Sequence, residues 1–187
     1  MSTTTDHEGA KAAGVKEGVI TPPAEDKEMV WRLNSDLVWR ELAKASFAVI
    51  SYATPTGMPR SSGVVYALVG RRMFVAVADD SWKAKHIKAS GRVAVTVPVR
   101  RGGIMSLLLP IPPATVSFHA SAIVHPASSL EGSPLSKELA PLLPPERRIS
   151  SRIIEIQPVG HFLTYGLGVS LMQMRSPTLA RGRAPVG

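Results

Sequence analysis

Residues 78–97 read ADDSWKAKHIKASGRVAVTV, and the parsing of this stretch decides the fold. The apolar run MFVAVA (73–78) ends at Asp79-Asp80. Ser81 then stands where a helix N-cap belongs, because its hydroxyl can accept from the unpaired amides of a first turn. Trp82 to Ser90 follow as a short helix, ended by Gly91, the residue best suited to the left-handed cap. GRVAVTVPV (91–99) is the next strand. Lys83 is the odd residue, because a cation at the positive end of a helix dipole is locally unfavourable. At about 100° per residue, Lys83 shares a face with Ile87, which should point to the core. The ammonium therefore leans inward beside Ser81 and free helix amides, a seat suited to phosphate. Lys85 and Lys88 point to solvent, and Arg60, ahead of an earlier strand, can add a forked contact. The plainer alternative is a lysine that lays its stem over apolar surface and binds nothing. Asp79 and Asp80 must also point away from an anion, or act as caps.

Working outward, residues 1–24 are small, polar and charged, and read as a disordered N-terminal tail. From Glu25 to Ser46 the apolar spacing is helical, broken near Asn34-Ser35-Asp36, with Asp36 capping the second piece. FAVISYA (47–53), SSGVVYALV (61–69) and MFVAVA (73–78) read as strands, the last two joined by a Gly70-Arg71 hairpin and covered on both faces. RRGGIMSLLLPIPPA (100–114) is apolar but proline-punctuated, and so not a regular helix. TVSFHASAIVH (115–125) alternates, with Val116, Phe118, Ala120, Ala122 and Val124 on one face. A short surface helix (133–143) and strands at 151–159 and 161–171 follow, then a basic C-terminal tail over 176–187. Residues 25–175 thus form one domain, mainly β with short peripheral helices. Short connections between many strands imply a closed or nearly closed barrel.

The totals exclude several chemistries. The chain of 187 residues has no cysteine, so disulfides, thiolate nucleophiles and cysteine-held metals are out. No apolar run approaches the ~18 residues of a membrane span, and the N-terminus has no signal-peptide core. A cytoplasmic protein is the expectation. The net charge of +8 implies attraction to anions. Trp82 beside lysines invites nucleic-acid stacking, but the basic residues are scattered rather than clustered with aromatics. His119 and His125 share a strand face, yet lie roughly 20 Å apart along it, too far to share a metal. Tyr66, His119 and Tyr165 are candidate proton donors, each more often an ordinary strand residue. No nucleophile–base pair is readable.

From about Leu42 to His125 the order of segments resembles the pyridoxamine 5′-phosphate oxidase-like split barrels, the flavin/deazaflavin oxidoreductase superfamily. The resemblance rests on FAVISYA, Gly57-Met58-Pro59, two apolar strands about Gly70-Arg71, SWKAKHI and GRVAVTV, with YGLGVSLMQMRSP after them. It implies a six-stranded split β-barrel of the FMN-binding type, working as a homodimer with the cofactor at the interface. It also implies a cofactor phosphate at Ser81 and Lys83, and a cofactor lined by Ser61, Ser62, Val77 and Ala78, with Arg60 nearby. Trp82 and His86 would edge the same site. Flavin mononucleotide oxidases of the family carry an arginine on the second strand, where this chain has Ser61-Ser62-Gly63. That departure, with the basic composition, favours the deazaflavin F420 and its acidic tail over FMN. The basic residue usual in the F420 branch at the position of Ser81 is also absent. The implied activity is hydride transfer to a small unsaturated or quinone-like substrate, with the apolar 104–113 stretch as a candidate pocket wall. The alternative is a non-catalytic protein that binds or stores deazaflavin, flavin or haem.

Overall fold

The computed structural model describes residues 33–100, 113–130 and 133–187. The expected N-terminal tail, the first part of the 25–46 helix and residues 104–112 lie outside the described residues. The first described helix, α1 (Ser35–Lys44), is capped by Asn34, whose side chain accepts from the Leu37 amide at 2.8 Å. Asp36, expected as the cap, lies in the first turn instead and complements the helix dipole there. Val38, Trp39 and Leu42, at helical spacing, bury the inner stripe.

Strands β1 (Phe47–Ala53), β2 (Pro59–Val65), β3 (Ala67–Val69) and β4 (Arg72–Ala78) lead into α2 (Trp82–Ser90). Then come β5 (Arg92–Val99), β6 (Ala114–Pro126), the short α3 (Pro134–Glu138), β7 (Ser151–Tyr165), α4 (Pro177–Ala180) and β8 (Arg181–Pro185). All pairings are antiparallel, in the order β2-β1-β5-β6-β7-β4-β3, with β8 added to β7. β2 and β3 stand at opposite ends of that order, yet only Tyr66 separates them along the chain. One continuous segment leaves one edge of the sheet and joins the other, which forces the sheet to curl onto itself. The six longer strands form a split barrel, with helices at its periphery.

Tyr66 makes that crossing. Its amide donates to the Ser46 carbonyl at 3.0 Å and its hydroxyl to the Leu42 carbonyl at 2.6 Å, so it belongs to neither ladder. The single strand expected over 61–69 is therefore two. Coverage on both faces holds for β4, where Met73, Phe74 and Val75 are all buried, but not for β2, where Val65 is 58% exposed.

The strands expected at 151–159 and 161–171 are one strand, β7, which passes through Gly160 at φ 73° and ends at Tyr165, so residues 166–171 are turn rather than strand. Residues 176–187 are structured as well. β8 pairs with β7, and Trp39 Nε1 and Ser35 Oγ both donate to the Val186 carbonyl, at 2.9 and 3.0 Å. Gly182 makes this possible, since a Cβ there would come within 2.5 Å of the Leu33 side chain. Inside the barrel, Phe118 meets Phe162 edge-on at 5.4 Å and Phe162 meets Trp39 at 5.2 Å. A smaller cluster of Phe74, Ala127, Leu139, Leu143 and Ile153 packs on the other face of β4.

Candidate cofactor site

The site forms where β4 hands the chain to α2. The Asp79 amide donates to the Ser150 carbonyl at 2.8 Å, and its carboxylate pairs with Arg152 Nε at 2.6 Å. One of the two acids that would repel an anion is thereby neutralised. Ser81 occupies the N-cap position, but its hydroxyl makes no cap hydrogen bond. The expected serine cap is thus open, and its hydroxyl is available to a ligand. Ala84 and Ile87 are buried and fix the helix against the core, and Gly91 ends it at φ 63°.

That anchoring turns Lys83 inward. Its side chain is half-buried, and burial lowers its pKa below the ordinary lysine value. Among the described residues no carboxylate lies within ion-pair distance of it. Partial desolvation of a cation without a counterion is unfavourable, and an anion beside it would relieve that cost.

Aromatic rings run along the helix from this point. Trp82 is 71% exposed, with Lys85 Nζ 4.7 Å from its centroid. His86 stacks at a tilt 5.8 Å from Trp82 and 6.0 Å from Tyr52. The buried Nδ1 of His86 has no hydrogen-bond partner among the described residues. Tyr52 is the member that sequence reasoning missed. The available signal was its spacing from Ala48 and Ile50, which puts all three on one strand face.

The other expected residues divide by strand face. Arg60 lies within β2 rather than before it, opposite Tyr52, and Ser62 lies opposite Ile50, so both take the Tyr52 side. Val77 packs on the main core. Ser61 points the other way, its hydroxyl 2.8 Å from that of Ser51. Ala78 shares the face of Ala76, toward the smaller cluster, where a hollow of about 230 Å³ is lined by Leu142, Leu143 and Arg147. The structure thus gathers Trp82, Lys83 and His86 at the start of α2 and leaves Ser61 on the outer surface.

Two of the three candidate proton donors are already committed. Burial raises the pKa of Tyr66, whose hydroxyl is bonded to Leu42, and the Tyr165 hydroxyl donates to the Met174 carbonyl at 3.1 Å. His119 is exposed. His125 pairs with Glu155 at 3.0 Å, and the same carboxylate holds Arg72 at 2.9 Å. A cleft of about 710 Å³ lies at the far end of α2 and includes Ser51, Tyr52, Arg92, Ala94, His119 and Val159.

No protein-family model matches the chain, and no curated protein matches it. Solved structures do. A FAD-binding protein from Mesorhizobium loti superposes with a TM-score of 0.52 at 15% identity, covering 67% of this chain and 88% of its own. A candidate pyridoxamine 5′-phosphate oxidase from Listeria innocua gives 0.51 at 14% identity, over 66% of this chain and 92% of its own. The fold is that of the pyridoxamine 5′-phosphate oxidase-like split barrels. The haem storage protein of Vibrio cholerae has the same split barrel, with a TM-score of 0.51 at 14% identity over 72% of this chain and 96% of its own. Identities this low establish the split barrel alone. Among the described residues of this split barrel, no helix is long and apolar enough to cross a membrane.

Proposed function

We propose that this split barrel binds a flavin-type cofactor, F420 in first place and FMN in second, for hydride transfer to a small unsaturated or quinone-like substrate. The observation that carries the reading is Lys83, half-buried and without a counterion among the described residues, beside the uncapped Ser81. A cofactor phosphate would satisfy the ammonium, the seryl hydroxyl and the first amides of α2 together. Arg60 and Ser62 approach from β2, Val77 lines the strand end, and Trp82 and His86 flank the opening. The unpartnered Nδ1 of His86 offers one further polar contact. The net charge of +8, with exposed Lys85 and Lys88 on the same helix, suits the acidic tail of F420. When bound, the cofactor would supply the hydride chemistry, while the chain holds, orients and shields it.

A homodimer belongs to the same proposal. On the outer sheet face Phe47 is 46%, Val65 58% and Leu163 53% exposed, an apolar surface that a second copy would cover. The cofactor would then lie at the seam between subunits.

A second reading, non-catalytic binding or storage of deazaflavin, flavin or haem, is favoured by one observation. Tyr66 and Tyr165 both commit their hydroxyl protons to backbone carbonyls. Calorimetric titration with F420, FMN and haem in turn, followed by turnover assays on enones and quinones, separates the two readings. Binding of a flavin-type cofactor with turnover supports the oxidoreductase, and binding without turnover supports storage. Lys83→Ala should remove a charge-assisted contact of ~1.5–3 kcal/mol, roughly a tenfold to hundredfold loss of affinity. Unchanged affinity in that variant would contradict the phosphate seat.

A further inference from the structure

The cleft at the far end of α2 has the size of a small-molecule site, and neither Ser81 nor Lys83 lines it. Its floor is one register row on the outer sheet face, running Ser51, Ala94, His119, Val159 across four strands. The short side chains of Ser51 and Ala94 in that row leave room for a hollow of about 710 Å³, within the usual range for small-molecule sites.

Two features show that the hollow is more than an uncovered piece of sheet. The first is a break in the β6–β7 ladder at this point. Ser117 pairs with Leu163 and His119 with Val159, so two residues of β6 span four of β7, and Gly160 takes φ 73° within the extra length. Such bulges bend the strand that carries the extra residues, and here that strand is β7, beside Val159 at the cleft. The second feature is charge. Arg92 and His119 line the cleft, no aspartate or glutamate among the described residues does, and Arg92 has no ion-pair partner among them. The nearby hydroxyls are engaged: Ser51 with Ser61, Ser90 with the Arg92 carbonyl, and Ser121 with the Gln157 carbonyl. Charge recognition therefore falls to the guanidinium and the imidazole, with Tyr52 also on the cleft wall.

We infer that this cleft is a binding site for a small planar monoanion, an aromatic or conjugated carboxylate. Its flat body lies on Ala94 and Val159, and its carboxylate meets the forked guanidinium of Arg92 with His119 beside it. The inference does not need the phosphate seat, because the cleft lies at the other end of α2 and neither Ser81 nor Lys83 lines it; Tyr52 is the residue that it shares with the candidate cofactor site.

The probes are 2-naphthoate and its neutral counterpart 2-naphthamide, titrated into the full chain by calorimetry. The naphthoate is expected to bind about tenfold more tightly, the contribution of one charge-assisted contact. Arg92→Met should erase that preference. Val159→Trp should fill the hollow and weaken both probes, with the charge unchanged. Arg183→Ala, which removes a remote exposed arginine, should leave the preference intact and so exclude a general charge effect. Circular dichroism melting of each variant checks that it is folded. Equal affinity for the two probes, no binding of either, or an Arg92→Met variant that keeps the preference would overturn the inference.

Discussion

Lys83 holds a positive charge in a place that costs the unliganded protein stability. Its folded pKa lies below the ordinary lysine value because burial disfavours the charged form. Between that lowered pKa and the ordinary value, the unfolded chain binds more protons than the folded one, so stability of the unliganded protein rises with pH in that window. Lys83→Met should flatten that part of a pH–melting-temperature profile. The sign reverses for the ligand. A phosphate needs the ammonium, so cofactor affinity should fall as pH rises through the lowered Lys83 pKa. Lys83→Arg keeps its charge throughout, and its affinity should stay level over the same range in a pH series of calorimetric titrations.

The elements show which features the sequence displays and which it hides. The helix Trp82–Ser90 is legible because Gly91 ends it and Ile87 orients it, and both effects act within a few residues. The inward lean of Lys83 follows from the same local geometry. The break at Tyr66 is not legible, since SSGVVYALV is continuous in β pattern and only pairing with two distant edges divides it. β8 is hidden for a related reason. RGRAP has no apolar alternation, and only the close approach of Gly182 to Leu33 and Thr164 reveals its inner face. Tyr66→Phe tests the crossing. It strips the bond to Leu42, a carbonyl in the last turn of α1, and should cost about 1–2 kcal/mol in a denaturant melt. Phe118→Ala tests the barrel interior, where Phe118 is 2% exposed against Phe162, and should cost ~3–5 kcal/mol. A variant as stable as the parent would contradict its place in the core.

At the scale of the molecule, the exposed apolar outer face is where the proposed dimer is tested. Val49, Thr96, Ser117 and Leu163 form one register row there, next to the exposed pair Phe47 and Val65. Leu163→Lys would place a cation in the middle of the proposed seam. Sedimentation velocity should then find the parent as a dimer and the variant as a monomer of unchanged fold. A monomeric parent would remove the seam, while leaving the phosphate seat to be judged by its own titrations.

The bonds from Trp39 and Ser35 to the Val186 carbonyl also bear on how the protein is made in the cell. Trp39 emerges from the ribosome 147 residues before its acceptor does, a wait of roughly 7–30 s at ordinary translation rates. Throughout that interval the nascent chain carries an indole without its hydrogen-bond partner, and near the end of it β7 is made before its neighbour β8. The bonds from α1 to Val186 and the β7–β8 ladder can form only after synthesis has reached the last strand, so these contacts join the fold last.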